Sequence, residues 1–458
     1  HTSKSSILLN MKHRISEKCS NRIRNMKKKR KRRRKSESYF VDDDDLLLEI
    51  FVRIPDIQSI VRCGAVCKNW FSLIKSPDYY HKRIQFQSLP LPLSFTFIFK
   101  LKDYHGSRVV TEQFYEYLPE ESKILHGFNS YQQSTYLNFL PWRKVRIFST
   151  FNDLLLFSPD RHCVTRLMIC NPLTRQWIEL PRLPLALCQV DCGGFLCEPT
   201  LPLQHNKQQF KLDQYRYRVM LLYPDGPVIY DDYEGRTDYT ALTFCSETGI
   251  WSTSSSSFPG DFDTQPMVAC NGMLHCLEET MDMNYTVDRI IAMDPFRDAN
   301  HPKFHRSIDL PLDCRMGINL SNVVRFRLGL VKERLRLSQL LPNESAGIGF
   351  VLKVWELNYN YVDDCNDNDG FSWTWTLVHN VEVKDRHKLR LFVIAFHPNN
   401  GNVIFLLRGY RHIYQYDIVE GKMKQVGKLP DEAKKSCYAD LQVFTLVHPF
   451  WPTLLPSV

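Results

Sequence analysis

The stretch Asn152-Asp153-Leu154-Leu155-Leu156-Phe157, followed by Met168-Ile169-Cys170-Asn171-Pro172, then Thr174-Arg175-Gln176-Trp177 and Leu180-Pro181, decides how most of the chain is read. Asn-Asp and Asn-Gly pairs tolerate positive φ and close hairpins. Each is followed here by a short apolar run of strand length. Asn-Pro or Thr-Gly then closes a second hairpin, and an outer strand with a bulky residue ends the unit. Such a small antiparallel sheet cannot bury both of its faces alone.

The same order of signals returns along the chain. Asn271-Gly272 leads into Met273-Leu274-His275-Cys276, then Ile291-Ala292-Met293-Asp294-Pro295 and Leu310-Pro311. Asn400-Gly401 leads into Val403-Ile404-Phe405-Leu406, then Ile413 to Asp417, Gly421 and Leu429-Pro430. Partial copies occur at Leu242 to Trp251 and at Val351 to Leu357 with Trp373 to Val378. Stacking copies around an axis buries the faces that one copy leaves open, which is the logic of a β-propeller. The repeating region runs from 92 to 449. At about 45–60 residues per blade it holds six to eight blades. A large β-sandwich, or two stacked β-domains, is the competing arrangement. Trp142, Trp177, Trp251 and Trp355 are expected in the blade core. The polar stretches 198–214 and 358–370 are expected as loops on one face, where recognition residues concentrate.

Upstream, residues 42–87 follow a different period. Asp42 to Asp45 precede Leu46, Leu47, Ile50, Phe51 and Ile54 at helical spacing, and carboxylates suit the positive helix end. Pro55 stops that helix. A second helix carries Ile57, Ile60 and Val61, and a third carries Cys67, Trp70, Phe71 and Ile74 before Ser76-Pro77. Three short helices bury little, so this unit is expected to lean on a partner. Residues 1–40 form a third kind of segment. They hold 15 Lys or Arg against 2 Glu, while the other 418 residues are mildly acidic. The nine consecutive cations Lys27, Lys28, Lys29, Arg30, Lys31, Arg32, Arg33, Arg34 and Lys35 repel one another and resist folding. They read as a nuclear-localisation signal in a disordered basic tail, with only weak attraction for nucleic acid.

Composition bounds the chemistry. With 43% hydrophobic and 24% charged residues, global disorder is excluded, and 12% aromatics favour sheet. No apolar run approaches the ~20 residues of a membrane helix, so no membrane partner is expected. The 14 cysteines include no CxxC pair and read as reduced thiols of the nucleus or cytoplasm. Cys188, Cys192 and Cys197 fit no standard zinc spacing. There is no GxxxxGK[ST], GxSxG or HExxH, and Gly347-Ile348-Gly349 stands alone. Asp231-Asp232 and Asp363-Asp364 read as solvated turns. No catalytic residue, metal site or cofactor is assigned, and the chain is expected not to be an enzyme.

Two parts of the chain resemble known families. Asp44-Asp45-Leu46-Leu47-Leu48-Glu49-Ile50, Arg53-Ile54-Pro55, Val61-Arg62-Cys63, Val66-Cys67-Lys68-Asn69-Trp70 and Leu73-Ile74 resemble the F-box. The family usually opens with Leu-Pro, where Asp42-Asp43 stand here. The resemblance implies docking onto a Skp-type adaptor, and through it a cullin, by Leu46, Leu47, Ile50, Ile54, Pro55, Cys67, Lys68 and Trp70. The stretch 169–181, with Asn152 to Leu156 before it and Val354-Trp355-Glu356-Leu357 after, resembles the F-box-associated and kelch-like propellers of plant proteins. Together they imply an α+β, multi-domain chain: a small three-helix module, then a mainly antiparallel propeller. The implied function is substrate recognition for an SCF-type (Skp–cullin–F-box) ubiquitin ligase. A propeller scaffold acting outside any ligase is the alternative, because two carboxylates in an apolar interface are costly to desolvate.

Overall fold

The computed structural model divides the chain into two compact units, residues 1–91 and 92–458. It describes residues 44–54, 57–74, 76, 79 and 82 of the first. In the second it describes 95–105, 108–117, 137–142, 145–160, 163–190, 192–199, 215–224, 237–258, 261–262, 265–279, 287–297, 301, 304–314, 326–343, 349–362, 370–384, 390–409, 411–429, 441–448, 453 and 455. The basic tail lies outside the described residues.

The first unit has helices α1 (Asp44–Arg53), α2 (Ile57–Gly64) and α3 (Lys68–Ile74). Asp44 and Asp45 sit in the first turn of α1, where the exposed amides favour negative charge. Asn69 Nδ2 donates to Asp44 Oδ1 at 2.9 Å, tying α3 to the start of α1. Cys67 precedes α3, and the Trp70 amide reaches its sulfur at 3.5 Å. Leu47, Leu48, Phe51 and Val52 of α1 are buried with Ile60 and Ile74, and the Phe51 ring meets Trp70 edge-on at 5.1 Å.

Among its described residues, the strands of the second unit pair antiparallel throughout. Blade 1 is β3 (Arg146–Phe151), β4 (Leu154–Ser158), β5 (Met168–Asn171) and β6 (Gln176–Glu179). Blade 2 is β7 (Cys192–Pro199), β8 (Tyr215–Pro224), β9 (Thr237–Cys245) and β10 (Ile250–Phe258). Blade 3 has five strands: β11 (Asp261–Phe262), β12 (Val268–Cys270), β13 (Met273–Glu279), β14 (Val287–Met293) and β15 (His305–Asp309). Blade 4 is β16 (Phe326–Val331), β17 (Arg334–Pro342), β18 (Phe350–Val362) and β19 (Gly370–Val383). Blade 5 is β20 (Leu391–Phe396), β21 (Val403–Arg408), β22 (His412–Asp417) and β23 (Lys422–Lys428). A three-stranded sheet joins the two ends of the unit, with β1 (Phe95–His105) between β2 (Arg108–Tyr117) and β24 (Leu441–Val447).

The expectation of six to eight blades is therefore corrected. Five blades are built from consecutive strands, and the closing sheet completes the circle. The arithmetic failed because it assumed even blade lengths. Blade 1 spans only 146–179, whereas blade 2 spans 192–258. The innermost strands β3, β7, β12, β16, β20 and β24 each neighbour the next, and β24 neighbours β3.

Strand parity fills the gaps between sheets. In β4, Leu154 and Leu156 pack toward blade 2, while Leu155 and Phe157 pack toward the closing sheet. In β24, Leu441 and Val443 pack with blade 5, while Phe444 and Leu446 pack with blade 1. Side chains alternate faces with a period of two. A strand covered on both faces therefore reads as a continuous apolar run, whereas β6 at the rim is mostly exposed.

Several turn readings hold and two need correction. Asn152, Asn271 and Gly272 have φ of 53°, 48° and 73°. Asn400-Gly401 does not take the positive-φ turn expected of it. The amides of Asn399 and Asn400 instead donate to His397 Nδ1, each at 3.1 Å. Gly401 is needed for closeness, since a Cβ there would lie 2.8 Å from Arg336 Nη1. Residues 358–362 and 370 are not loop, because β18 and β19 extend through them as a long hairpin. Residues 200–214 and 363–369 lie outside the described set.

Phe444→Ala opens a cavity between the closing sheet and blade 1. It is expected to cost about 3–5 kcal/mol in urea unfolding. Val419→Ala, at an exposed turn, should stay within about 0.5 kcal/mol. Equal, small losses would mean that the closing sheet is not part of the cooperative core.

Candidate functional site

The helical unit presents apolar surface that it cannot bury. Leu46 is 49% exposed, Ile50 47%, Val66 60% and Phe71 46%. Leu46 and Ile50 are four residues apart and so share one face of α1. Among the residues predicted to meet an adaptor, Leu46, Ile50, Cys67 and Lys68 are exposed, and Ile54 and Trp70 are half-buried. Leu47 is buried in the unit's own core. Pro55, like Asp42 and Asp43, lies outside the described residues. Val66 and Phe71 were not among the predicted contacts. Phe71 shares the helical period of Trp70 and Ile74 and so reads as core, yet only Ile74 of α3 is buried.

In the propeller, a cavity of about 210 Å³ opens beside the starts of the inner strands. Arg146 begins β3, Cys192 begins β7, Gln265 precedes β12, and Gln442 is the second residue of β24. All four line the cavity, with Lys100 of β1 and Gln189. Arg146 Nη2 donates to Val190 O at 2.7 Å, and its guanidinium lies over the Phe148 ring at 5.1 Å. Neighbouring strands are pinned by side chains of the same region. Gln265 Nε2 donates to Phe326 O at 2.8 Å, and Arg327 Nη2 to Val443 O at 3.1 Å. A more open cavity of about 340 Å³ lies on blade 1 between Arg166 and the segment Arg182 to Ala186.

The cysteines divide by strand parity rather than gathering. Cys192 packs between blades 2 and 3, and Cys197 packs between blades 1 and 2. Cys188 is bonded to Cys163, which corrects the expectation of uniformly reduced thiols. The bridge between Val164 and Leu187 sets their neighbours side by side. Among the described residues no three His, Cys, Asp or Glu side chains are placed to hold a metal ion. No described helix is long and apolar enough to cross a membrane. Of the four tryptophans expected in the core, Trp355 is buried. Trp177 is 38% exposed and meets Trp142 edge-on at 5.0 Å at the rim. Trp251 Nε1 donates to Pro181 O at 2.9 Å, linking blade 2 to the end of blade 1.

Buried polar groups serve the joints between blades. Glu356 accepts from Arg334 Nη1 at 2.7 Å and from Arg336 Nη2 at 2.7 Å, while Arg336 Nη1 reaches Gly401 O in the next blade. Burial pushes the Glu356 carboxyl up, but the two arginines overcome it and hold it below the usual range. Asp153 Oδ2 accepts from Asn171 Nδ2 at 2.7 Å and from the Thr453 amide at 2.8 Å. His275 is fully buried between Val268 O, 3.2 Å from Nδ1, and the Tyr359 hydroxyl, 2.9 Å from Nε2. A carbonyl only accepts, so Nδ1 carries the proton and the Tyr359 O–H donates to Nε2. Tyr359 also bonds the Cys270 side chain, so Cys270, Tyr359 and His275 form one hydrogen-bonded chain.

Comparisons with known proteins fit this two-part architecture. A family model described as F-box-like matches residues 44–87. The model of the F-box protein At3g26010-like β-propeller matches residues 217–445, half of the chain. The chain belongs to this family of F-box proteins. Two relatives come from Arabidopsis thaliana. F-box protein At3g28330 is 24% identical over 356 residues, covering 73% of this chain and 72% of that one. The putative F-box/kelch-repeat protein At1g15680 is 22% identical over 426 residues, covering 90% and 88%. Among solved structures, cobalt-substituted Synechocystis ACO aligns at 11% identity and a TM-score of 0.31 over 74% of this chain and 78% of that one. A likeness that weak carries no argument about the chemistry of this F-box protein.

Burial lowers the His275 pKa to about 4, against the opposing pull of its bond to Val268 O. The unfolded chain binds this proton more readily. The stability tied to neutral His275 is thus present above about pH 6.5 and lost as pH falls toward 4. Between pH 7.5 and 4.5, wild type should lose roughly 1–3 kcal/mol more than His275→Gln in urea unfolding. Parallel losses would show that the buried ring does not titrate with folding.

Proposed function

We propose that this protein is the substrate-recognition subunit of an SCF-type ubiquitin ligase. The helical module docks on a Skp-type adaptor and, through it, on a cullin. The propeller holds a target protein. The observation that carries the reading is an F-box-like helical unit with an exposed apolar face, joined in one chain to a β-propeller. The chain itself makes and breaks no bond. Holding a target near an activated ubiquitin turns a bimolecular encounter into an effectively intramolecular one.

Leu46, Ile50, Cys67 and Lys68 are the predicted contacts that stand exposed, and Val66 and Phe71 are further exposed apolar side chains of the unit. Leu47 is buried within the unit. Leu46 and Ile50 are about half exposed, so covering each contributes about half of the ~1.5–3 kcal/mol of a full burial, and a carboxylate in its place adds a desolvation cost. Leu46→Asp with Ile50→Asp should therefore reduce recovery of adaptor and cullin at least tenfold while circular dichroism stays unchanged. Leu47→Asp is a poor probe because it breaks the module's own core. Undiminished recovery by the double variant would remove this face from the interface. Failure of the wild type to bring down adaptor would favour a propeller scaffold outside any ligase, the reading supported by Asp42-Asp43.

Nuclear residence is proposed on the nine-residue cationic run Lys27 to Lys35. Deleting it should move a fluorescent fusion of the full chain out of the nucleus. An unchanged distribution would leave the run without that role.

A further inference from the structure

Blade 1 departs from blades 3 and 5 at one turn. Asp294 follows β14 in blade 3 and accepts from the Phe296 amide at 3.0 Å. Asp417 ends β22 in blade 5 and accepts from the Val419 and Glu420 amides at 3.0 and 2.9 Å. The matching place in blade 1 is Asn171, at the end of β5. Its Oδ1 accepts from the Leu173 and Thr174 amides at 2.9 and 3.3 Å, so the turn is held in the same way. An amide also has two N–H donors, which a carboxylate lacks. Asn171 Nδ2 donates to Asp153 Oδ2 and to Thr453 O, both at 2.7 Å. Asp153 Oδ2 in turn accepts from the Thr453 amide at 2.8 Å. Two fully buried polar side chains of blade 1 thus hold the N–H and the C=O of one residue that lies beyond β24.

A strand grips its neighbour in this way. In an antiparallel pair, facing residues exchange both backbone bonds. Here two side chains take the place of one partner residue, so the segment is read through its backbone. The Thr453 hydroxyl also reaches the Asp153 carboxyl, and Leu455 packs on the core between blades 1 and 2. Residues two apart on an extended chain face the same way, which lets one segment make both contacts. Burial pushes the Asp153 carboxyl above the usual range, against the bonds from Thr453 and Asn171, and its Oδ1 is buried without a hydrogen-bond partner. Blade 3 closes the corresponding hairpin with Asn271-Gly272 and needs no carboxylate there. Asp153 therefore serves the gripped segment rather than the blade. The described hold on that segment is slight, since Thr453 and Leu455 are only half-buried. By contrast, β24 pairs over seven residues and is covered on both faces. Segments with few buried apolar contacts open at low cost while the core stays folded.

We propose that Asp153, Asn171 and the adjoining groove between blades 1 and 2 form a binding site for an extended peptide segment, which Thr453 to Leu455 occupy in cis as an exchangeable strap. The segment recognised has a serine or threonine followed two residues later by leucine. It carries no acidic side chain beside the hydroxyl, because the Asp153 carboxylate opposes one. The inference rests on the proposed role of the propeller in holding a target, and it names the chemistry read there. A tethered strap competes at high effective concentration, so an incoming segment binds by displacing it.

The test uses the full-length protein with two variants that free the strap, Leu455→Asp and Thr453→Pro, the second of which removes the amide donor. The probe is a fluorescently labelled peptide with the sequence of residues 449–458, read by anisotropy. Both variants are expected to keep their circular dichroism and thermal midpoint. They should bind the peptide saturably, about tenfold or more tighter than wild type, where the strap competes. Two altered peptides leave the protein untouched. One is N-methylated at the threonine amide, which removes the donor to Asp153, and one carries Leu455→Asp; both should bind about tenfold or more weaker. A third peptide of alanine and glycine, keeping only the threonine and leucine at their spacing, should still bind saturably. Unfolding of both variants would make the segment a fixed part of the fold and overturn the proposal. So would the absence of saturable binding, equal affinity in wild type and variants, indifference to N-methylation, or failure of the third peptide. Adaptor co-purification is read on the same samples, so failure of the strap and failure of the ligase reading are told apart.

Discussion

The pairing of β24 with β1 is the constraint on which the propeller depends. Phe95 to Leu101 pair antiparallel with Val447 to Leu441, so strands almost 350 positions apart form one sheet. That sheet supplies the missing wall for two blades at once. Phe95, Phe97 and Phe99 pack with blade 5, and Ile98, Phe444 and Leu446 pack with blade 1. Without it, both terminal blades would expose a sheet face. The seam is reinforced by polar contacts that carry little energy individually but fix its register. Thr96 Oγ1 and His448 Nε2 are 2.8 Å apart, Thr150 Oγ1 donates to Thr445 O at 2.9 Å, and the Val447 amide donates to Asn152 O at 3.0 Å. Loop-closure entropy grows only slowly with length, so joining distant ends costs little beyond joining nearer ones. The benefit is a hydrophobic interface on each side.

The local physics of a blade was legible because it is written in neighbouring residues. Asn152, Asn271 and Gly272 stand at positive φ between short apolar runs, and the runs at 154–157, 273–277 and 403–407 are strands β4, β13 and β21. What the turn code missed shows its limits. Lys332 and Glu333 both stand at positive φ, 49° and 63°, between β16 and β17. Neither residue announces such a turn. The turn is instead held by its surroundings: the Lys332 amide donates to Pro398 O at 2.7 Å, and Cys270 Sγ lies 3.3 Å from Glu333 O. Asn400-Gly401 is the converse, a strong turn dipeptide whose glycine serves the approach of Arg336.

The candidate sites were legible to different degrees for a related reason. Leu46, Ile50, Cys67, Lys68 and Trp70 lie within 25 positions of one another, so a motif can hold them. Helical period alone does not say which side of a short helix finds a core. Leu47 is therefore inside, while Phe71 is outside. The cavity beside the starts of the inner strands is assembled from Lys100 and Gln442, paired in the closing sheet, from Arg146 of β3, and from Gln189 and Gln265 in connecting segments, and these share no local pattern. Only closing the ring brings them together, and single Lys, Arg and Gln residues in strands otherwise read as solvated positions.

The two units differ in what they leave exposed, and the difference follows from size. Three helices of ten, eight and seven residues can enclose only a few side chains. Leu47, Leu48, Phe51, Val52, Ile60 and Ile74 use up that interior. Leu46, Ile50, Val66 and Phe71 are then left in water by geometry, because every helix has more apolar face than the others can cover. The propeller has the opposite economy. Each blade is covered by the next, so its sheet faces are buried and single side chains such as Ile250, Leu312 and Val419 remain exposed at turns and edges. A small unit with surplus apolar surface suits docking through burial, which is tolerant of exact chemistry. A large closed ring with fixed polar groups at its axis suits discrimination, because an unmatched charge there has no water to replace the missing partner.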